Sequence, residues 1–131
     1  MTKAKLEQCH KSQQEAAAIR ETLTQLQYVI NSAPSSRVDG MPHEHGQSGN
    51  VERLLDKKSA LVTRLQGLAD EVAGSVAEVE AWIEAEPHRG KRIVYRYHFL
   101  CGNSWAVSAE LAGVNPRTAK RWRAKLFEEI S

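Results

Sequence analysis

Two long segments of this sequence carry apolar residues at alternating steps of three and four, and this spacing constrains the fold more than any other feature. From Thr2 to about Asn31 the stripe is formed by Leu6, Cys9, Ala16, Ile19, Leu23, Leu26 and Ile30. From Val51 to about Glu86 it is formed by Val51, Leu54, Leu61, Leu65, Leu68, Val72, Val79 and Trp82. This spacing places apolar side chains along one side of a helix, which then needs a partner helix. We expect two long helices that form an antiparallel hairpin within the chain or pair between chains.

A second apolar row widens the stripe of the later segment: Leu55, Val62, Ala69, Val76 and Ile83. Between the segments, residues 32–50 are rich in Pro, Gly and Ser, which predicts a flexible loop with Asn50 as the N-cap of the second helix. His43-Glu44-His45, with Asp39 nearby, lies in that loop. It lacks the spacing that brings two imidazoles to one helical face, so we expect no metal site there.

Glu86-Pro87-His88-Arg89-Gly90 interrupts the helical pattern and marks a boundary. We predict a long helical scaffold or oligomerisation region at 1–86 and a separate C-terminal domain at 87–131. In the second region, a helix from about Lys91 to Leu100 should turn Ile93, Val94, Tyr97 and Leu100 inward, and helices should follow at 104–112 and 116–129. The predicted fold class is all-α, a long coiled-coil-like helical hairpin followed by a small three-helix unit.

The connection between the last two predicted helices has the residues of a helix-turn-helix. Gly113 can take the left-handed conformation that ends a helix, and Val114 can fill the angle between the helices. Asn115 followed by Pro116 gives an N-cap with proline at the first helical position. At 100° per residue, the last helix turns Ala119, Trp122, Leu126 and Ile130 to one side and Arg117, Lys120, Arg121 and Ala124 to the other.

The charge of the chain is divided between its two ends. Residues 1–87 carry nine Lys and Arg against thirteen Asp and Glu, a net charge of −4. Residues 88–131 carry nine against three, a net charge of +6. A basic segment that coincides with a helix-turn-helix favours double-stranded DNA as its partner. We therefore predict that residues 87–131 form a helix-turn-helix DNA-binding domain.

The DNA-contacting residues are predicted in two sets. Base edges are expected to be read by the start of the last helix, namely Asn115, Pro116, Arg117, Lys120 and Arg121. Phosphates are expected to be held by Arg89, Lys91, Arg92, Arg96, Thr118, Arg123 and Lys125.

Other classes of function find little support in the sequence. No phosphate-binding glycine loop, nucleophile motif or pair of catalytic carboxylates occurs, so we expect neither an enzyme nor a bound cofactor. Cys9 and Cys101 have no metal-ligand spacing and indicate reduced thiols. No segment is apolar enough for a signal peptide or a membrane span, which predicts a cytoplasmic protein without a membrane partner.

The chain resembles the small phage-encoded transcriptional regulators of the RinA and ArpU type, whose C-terminal part is similar to region 4 of bacterial sigma factors. The similar residues are Ile93-Val94-Tyr95-Arg96-Tyr97, Ser104-Trp105, the turn from Leu111 to Thr118, Lys120-Arg121 and Lys125-Leu126. The resemblance implies control of late phage genes in the bacterial host cytoplasm, with contact to RNA polymerase left open. By position, it implies base reading by Pro116, Arg117, Lys120 and Arg121.

Two alternatives to a homodimeric regulator remain open. A small terminase-type subunit of a phage packaging machine also joins a helix-turn-helix to long oligomerising helices. A protein-interaction module would use the helical hairpin as its binding surface, and its basic helix would bind an acidic protein.

Overall fold

The computed structural model describes residues 1–32 and 44–130, with the backbone alone described at 44–49. The described residues form five α-helices and no strand, and the predicted all-α fold class is confirmed. The helices are α1 (Lys3–Ser32), α2 (Glu44–Glu84), α3 (Arg89–Tyr95), α4 (Trp105–Ala112) and α5 (Pro116–Glu129). A single π-helical turn, Arg96–Leu100, continues α3 and is called the π-turn below.

The predicted loop at 32–50 is wrong at both ends, because Ser32 belongs to α1 and α2 begins at Glu44. Asn50 lies inside α2 and does not cap it. Pro42 is the last proline before this helix, and the glycines that follow weaken a helix without obstructing it. The glycines at 46 and 49 were therefore a poor guide to the start of α2, which precedes both of them. Residues 33–43 lie outside the described part of the chain.

The described chain divides into two compact units, Met1–Ala17 with Ala69–Ser131 and Ala18–Leu68. We call them the first and the second unit. These two units are defined by contacts between residues. The division into functional domains at 1–86 and 87–131 remains a prediction. The long helices α1 and α2 each contribute to both units.

In the second unit, the predicted stripe forms a narrow contact between α1 and α2. Ile19, Leu26 and Leu68 are buried, and Lys58 Nζ donates to Gln27 Oε1 across the helices at 2.6 Å. The second apolar row is not covered here, because Leu55 and Val62 remain 45% and 43% exposed.

In the first unit, one core joins the ends of the long helices to the three short ones. Its buried members are Leu6, Cys9, Val79, Ile83, Val94, Tyr95, Phe99, Ala109, Ala119 and Leu126. Leu6 and Cys9 extend the stripe of α1 as predicted and are fully buried. The helix-turn-helix therefore shares its core with α1 and α2, which suits a segment too small to bury a large core by itself.

The predicted inward side of the third helix is confirmed for Val94, which is buried, and in part for Leu100, which packs half-buried against the core. The buried residues are Val94, Tyr95, His98 and Phe99, whereas Ile93, Tyr97 and Leu100 are only half-buried. The buried set repeats at a spacing of four and includes His98, a polar residue that was not among those predicted to face inward. The π-turn, closed by the hydrogen bond from Cys101 N to Arg96 O at 3.2 Å, also departs from ideal helical spacing.

Candidate nucleic-acid interface

The turn between α4 and α5 has the geometry that its residues predict. Gly113 has a φ of +71°, and its N–H donates to Glu110 O at 3.1 Å. Val114 N donates to Ala109 O at 2.8 Å, which completes a helix C-cap with two backbone hydrogen bonds. Asn115 Oδ1 accepts the N–H of Arg117 at 2.9 Å, and Pro116 is the first residue of α5. These contacts fix the angle at which α5 leaves α4.

Two alanines allow α4 and α5 to pack closely. Ala109 on α4 and Ala119 on α5 are both buried, and a larger side chain at either position would push the helices apart. Val114 and Trp122 are half-buried against the same core. Leu126 is buried and Ile130 half-buried, so the predicted core side of α5 is confirmed.

The opposite side of α5 is exposed and basic. Arg117, Lys120 and Arg121 all lie at the surface within the first two turns of the helix. Arg121 Nη2 contacts the hydroxyl of Thr118 one turn earlier, at 3.4 Å. Asn115 and Pro116 are exposed as well, but the amide oxygen of Asn115 is occupied as a cap. Of the predicted base-reading set, the three cations are the side chains most available to a ligand.

The predicted phosphate-contacting residues fall into two groups. Arg89, Arg123 and Lys125 are exposed, and Lys91 and Thr118 are half-buried. Arg92 and Arg96 are instead engaged within the chain, which the sequence did not indicate.

Arg92 holds the connection between α2 and α3, because its Nη1 donates to Glu86 O at 2.8 Å and Pro87 O at 3.0 Å. Arg96 pairs with Glu80 at 3.3 Å and also with Glu84. These carboxylates offset the charge that Arg96 would bring to a phosphate. Such exposed pairs are weak, so a phosphate could still compete for Arg96.

The start of α3 is held against α5. His88 caps α3, since its Nδ1 accepts the N–H of Lys91 at 3.2 Å, and its ring meets the edge of Trp122 at 5.2 Å. A Cβ at Gly90 would lie 3.1 Å from the ring of Trp122, so this glycine permits close packing. Arg89 and Lys91 are thereby fixed near α5.

The N-terminal half of α1 makes contacts with this unit that the sequence did not locate. Cys9 Sγ donates to Phe99 O at 3.3 Å, and Lys3 Nζ lies over the ring of Phe127, 5.0 Å from its centre. Lys5 pairs with Glu78 on α2 at 2.9 Å, which lowers the pKa of that carboxyl. The continuation of the apolar stripe to Leu6 and Cys9 was the one available signal that α1 reaches this core.

Buried ionisable groups in this unit are held neutral. Burial raises the pKa of Tyr95 to about 12, and the carboxylates of Glu86 and Glu129 act in the same direction. Burial also raises the pKa of the Cys9 thiol. Both cysteines are free, but Cys101 is exposed, so its side chain is not part of the core. Tyr95 and Cys9 therefore act as core residues of the first unit.

Features of other functional classes were sought in the described part of the chain. No group of three His, Cys, Asp or Glu residues there could hold a metal ion. His43 and Asp39 lie outside the described residues, as do the side chains of Glu44 and His45. None of the described helices has both the length and the apolar character that crossing a bilayer requires.

The candidate interface is therefore a well-capped helix with three exposed cations in its first two turns, further basic residues around them and a shared core behind it. Its assignment depends on the residues of this chain alone. Comparison with protein-family models, with curated proteins and with solved structures finds no match to this chain.

Proposed function

We propose that the protein binds double-stranded DNA sequence-specifically, with α5 in the major groove, and regulates transcription. The observation that carries the proposal is the exposure of Arg117, Lys120 and Arg121 at the start of α5, directly after a fixed turn. A recognition helix contacts base edges with the residues of its first turns. A basic helix that is merely solvent-exposed needs no fixed turn before it, so the combination of the two favours DNA recognition.

The two sets of cations have different tasks in this proposal. Arg117 and Arg121 have the guanidinium geometry that reads guanine through two hydrogen bonds, each such pair contributing roughly 1–3 kcal/mol of discrimination. Arg89, Lys91, Arg123 and Lys125 contact phosphates and add affinity that is independent of sequence.

The resemblance to phage regulators supports a role in the cytoplasm of a bacterial host, with RNA polymerase as a further partner. Exposed Tyr28, Val29, Leu55 and Val62 in the second unit favour pairing of the long helices between two chains. A homodimer of this kind reads two half-sites about 34 Å apart, one turn of DNA, or a multiple of it.

Fluorescence anisotropy with random duplex DNA over a salt series tests the proposal. The wild-type chain should bind and lose affinity steeply with salt, whereas R117A/R121A should bind more weakly. Selection from a duplex library should then yield a preferred sequence for the wild type only. Absence of binding near physiological salt would reject the proposal and favour the protein-interaction module.

The exposed apolar residues of the second unit equally favour a second function, that of a small terminase-type packaging subunit. The mass of the protein in solution separates the two. A ring of many subunits would support packaging, whereas a monomer or dimer would support regulation.

A further inference from the structure

Donors from α1 complete the C-terminal end of the π-turn. A helix leaves its last carbonyls without backbone partners, and two of those carbonyls here belong to His98 and Phe99. His10 Nδ1 donates to His98 O at 2.7 Å, and Cys9 Sγ donates to Phe99 O at 3.3 Å. The following Gly102, with a φ of +79°, lies so close to α1 that a Cβ there would be 2.8 Å from Gln14 N.

Three rings connect α1 to α4 at this point. The imidazoles of His10 and His98 stack with centres 3.9 Å apart and planes 11° from parallel. The other face of His98 stacks on Trp105, the first residue of α4, at 4.0 Å. Trp105 in turn meets the edge of Phe127 on α5 at 6.4 Å. We call His10, His98 and Trp105 the ring stack.

His98 is enclosed by this arrangement and is poorly suited to carry a charge. It is 6% exposed, and its Nδ1 has no hydrogen-bond partner. Among the described residues, one other buried side-chain polar atom has no hydrogen-bond partner, the hydroxyl of Ser108 on α4. Phe99 meets the imidazole edge-on at 4.8 Å. A buried polar group without partners is costly, and a buried charge is more so.

The ionisable groups around His98 disfavour a proton further. Burial lowers its pKa to about 3, and His10 on α1 and Arg123 on α5 act in the same direction. A hydrogen bond with the backbone of Asn103 opposes them. No carboxylate is among the groups that shift the pKa of this imidazole, so no negative side chain offsets a positive charge on it.

We propose that the ring stack is a pH-sensitive contact that holds the N-terminal half of α1 on the helix-turn-helix, and that acidification releases α1 and thereby weakens DNA binding. The effect on DNA binding rests on the proposed function, whereas the release of α1 does not. Release removes Leu6 and Cys9 from the core that supports α4 and α5. His10 is a positioning residue in this scheme, because it holds the π-turn and does not reach the DNA.

The sign of the effect follows from proton linkage. His98 stays neutral while α1 is docked, whereas in the released state it is solvated and takes a proton near its usual pKa of about 6.5. Release therefore binds one proton. Its equilibrium constant should be independent of pH above 7 and rise about tenfold for each pH unit below 6. The stabilisation is thus present at neutral pH and is lost as the pH falls toward 3.

Cys9 provides a direct readout of release, because its thiol is buried against Phe99. In a C101S background, which removes the exposed thiol, we would follow the reaction of Cys9 with an aromatic disulfide that reacts at acidic pH. The rate is divided by that of the same chain in urea. Between pH 6 and 5 this ratio should rise about eightfold in the wild-type chain, as one proton and a released-state pKa of about 6.5 require.

H98F keeps a ring between His10 and Trp105 but cannot take a proton, so its ratio should have a pH slope smaller by one proton. H88N is the matched control, since asparagine preserves the cap of α3 and the stack is unchanged. It should retain the wild-type slope. An equal slope in H98F and in the wild type would overturn the proposal.

If H98F does not fold, a second measurement on the wild-type chain tests the proposal. Imidazole NMR signals of the wild-type chain should show His98 neutral in the docked state down to pH 5. A His98 signal that titrates near pH 6.5 while Cys9 remains protected would overturn the proposal.

Anisotropy at pH 7.5 and 5.5 tests the link to DNA. The Kd for random duplex should increase more in the wild type than in H98F on acidification. Cys9 release with equal Kd changes in both chains would overturn that link. If the chain binds no DNA at any pH, the proposed function fails, and Cys9 reactivity alone then decides on the pH-sensitive contact.

Discussion

At the residue scale, some side chains around α5 cap the helix, others pack against the core, and others are exposed. Arg121 is exposed, and its guanidinium contacts the hydroxyl of Thr118. Replacing Arg121 with Ala removes a guanidinium that can read guanine. We expect R121A to weaken binding to the selected site by roughly 1–3 kcal/mol, about tenfold to a hundredfold, with a smaller loss on random duplex. Competition anisotropy with both duplexes measures the difference.

R20A is the matched control, because Arg20 is exposed on α1 and lies outside the helix-turn-helix. It removes the same charge and should affect neither duplex by more than a small factor. Equal losses on both duplexes in R121A would show that Arg121 contacts phosphate and does not read a base.

Gly113 and Gly74 are glycines with opposite expectations. Gly113 has a φ of +71°, where an L-residue costs about 1–2 kcal/mol, so G113A should lower the free energy of unfolding by that amount. Gly74 lies inside α2, and a Cβ there meets nothing within 4 Å. G74A should therefore raise the free energy of unfolding by about 0.5–1 kcal/mol. Urea unfolding followed by circular dichroism measures both, and a loss in G74A would indicate a partner packed against α2.

At the element scale, the N-terminal half of α1 belongs to the same compact unit as the helix-turn-helix. Leu6 is fully buried among residues of that unit. L6A should lower the free energy of unfolding by about 2–5 kcal/mol through lost burial and the cavity it leaves. The Kd for DNA should rise as well, since α4 and α5 lose support. Urea unfolding and anisotropy on the same samples test both effects.

L111A is the control for L6A, because Leu111 is 55% exposed on α4. The same substitution there should change the free energy of unfolding by no more than about 0.5 kcal/mol. If L6A had no larger effect than L111A, the docking of α1 on the core would be refuted.

The elements show which parts of such a fold a sequence can predict. The turn was predicted residue by residue, because Gly113, Asn115 and Pro116 each act through their own backbone geometry. The burial of His98 was not, because it depends on His10, which is 88 residues away. The ion pairs of Arg96 were missed for the same reason. Local spacing marks a basic residue as outward-facing but does not reveal whether carboxylates of another helix neutralise it.

At the scale of the whole molecule, the division of charge determines how the chain meets a polyanion. The net charge is −4 over residues 1–87 and +6 over residues 88–131. Only cations without internal partners release counterions from DNA efficiently. Arg92 and Arg96 are engaged within the chain, so the salt dependence should come mainly from exposed cations such as Arg123 and Lys125.

A pair of double variants tests this division. Each phosphate contact contributes about −0.9 to the slope of log Kobs against log salt concentration, so R123Q/K125Q should make the slope less steep by about 2. R20Q/R53Q removes two exposed arginines from the acidic half and changes the net charge equally. Its slope should match the wild type, because neither arginine is among the cations on α3 and α5 that we propose as DNA contacts. Anisotropy titrations from low to physiological salt measure all three slopes. Equal flattening in both double variants would mean that net charge, and not the placement of cations around α5, governs the affinity.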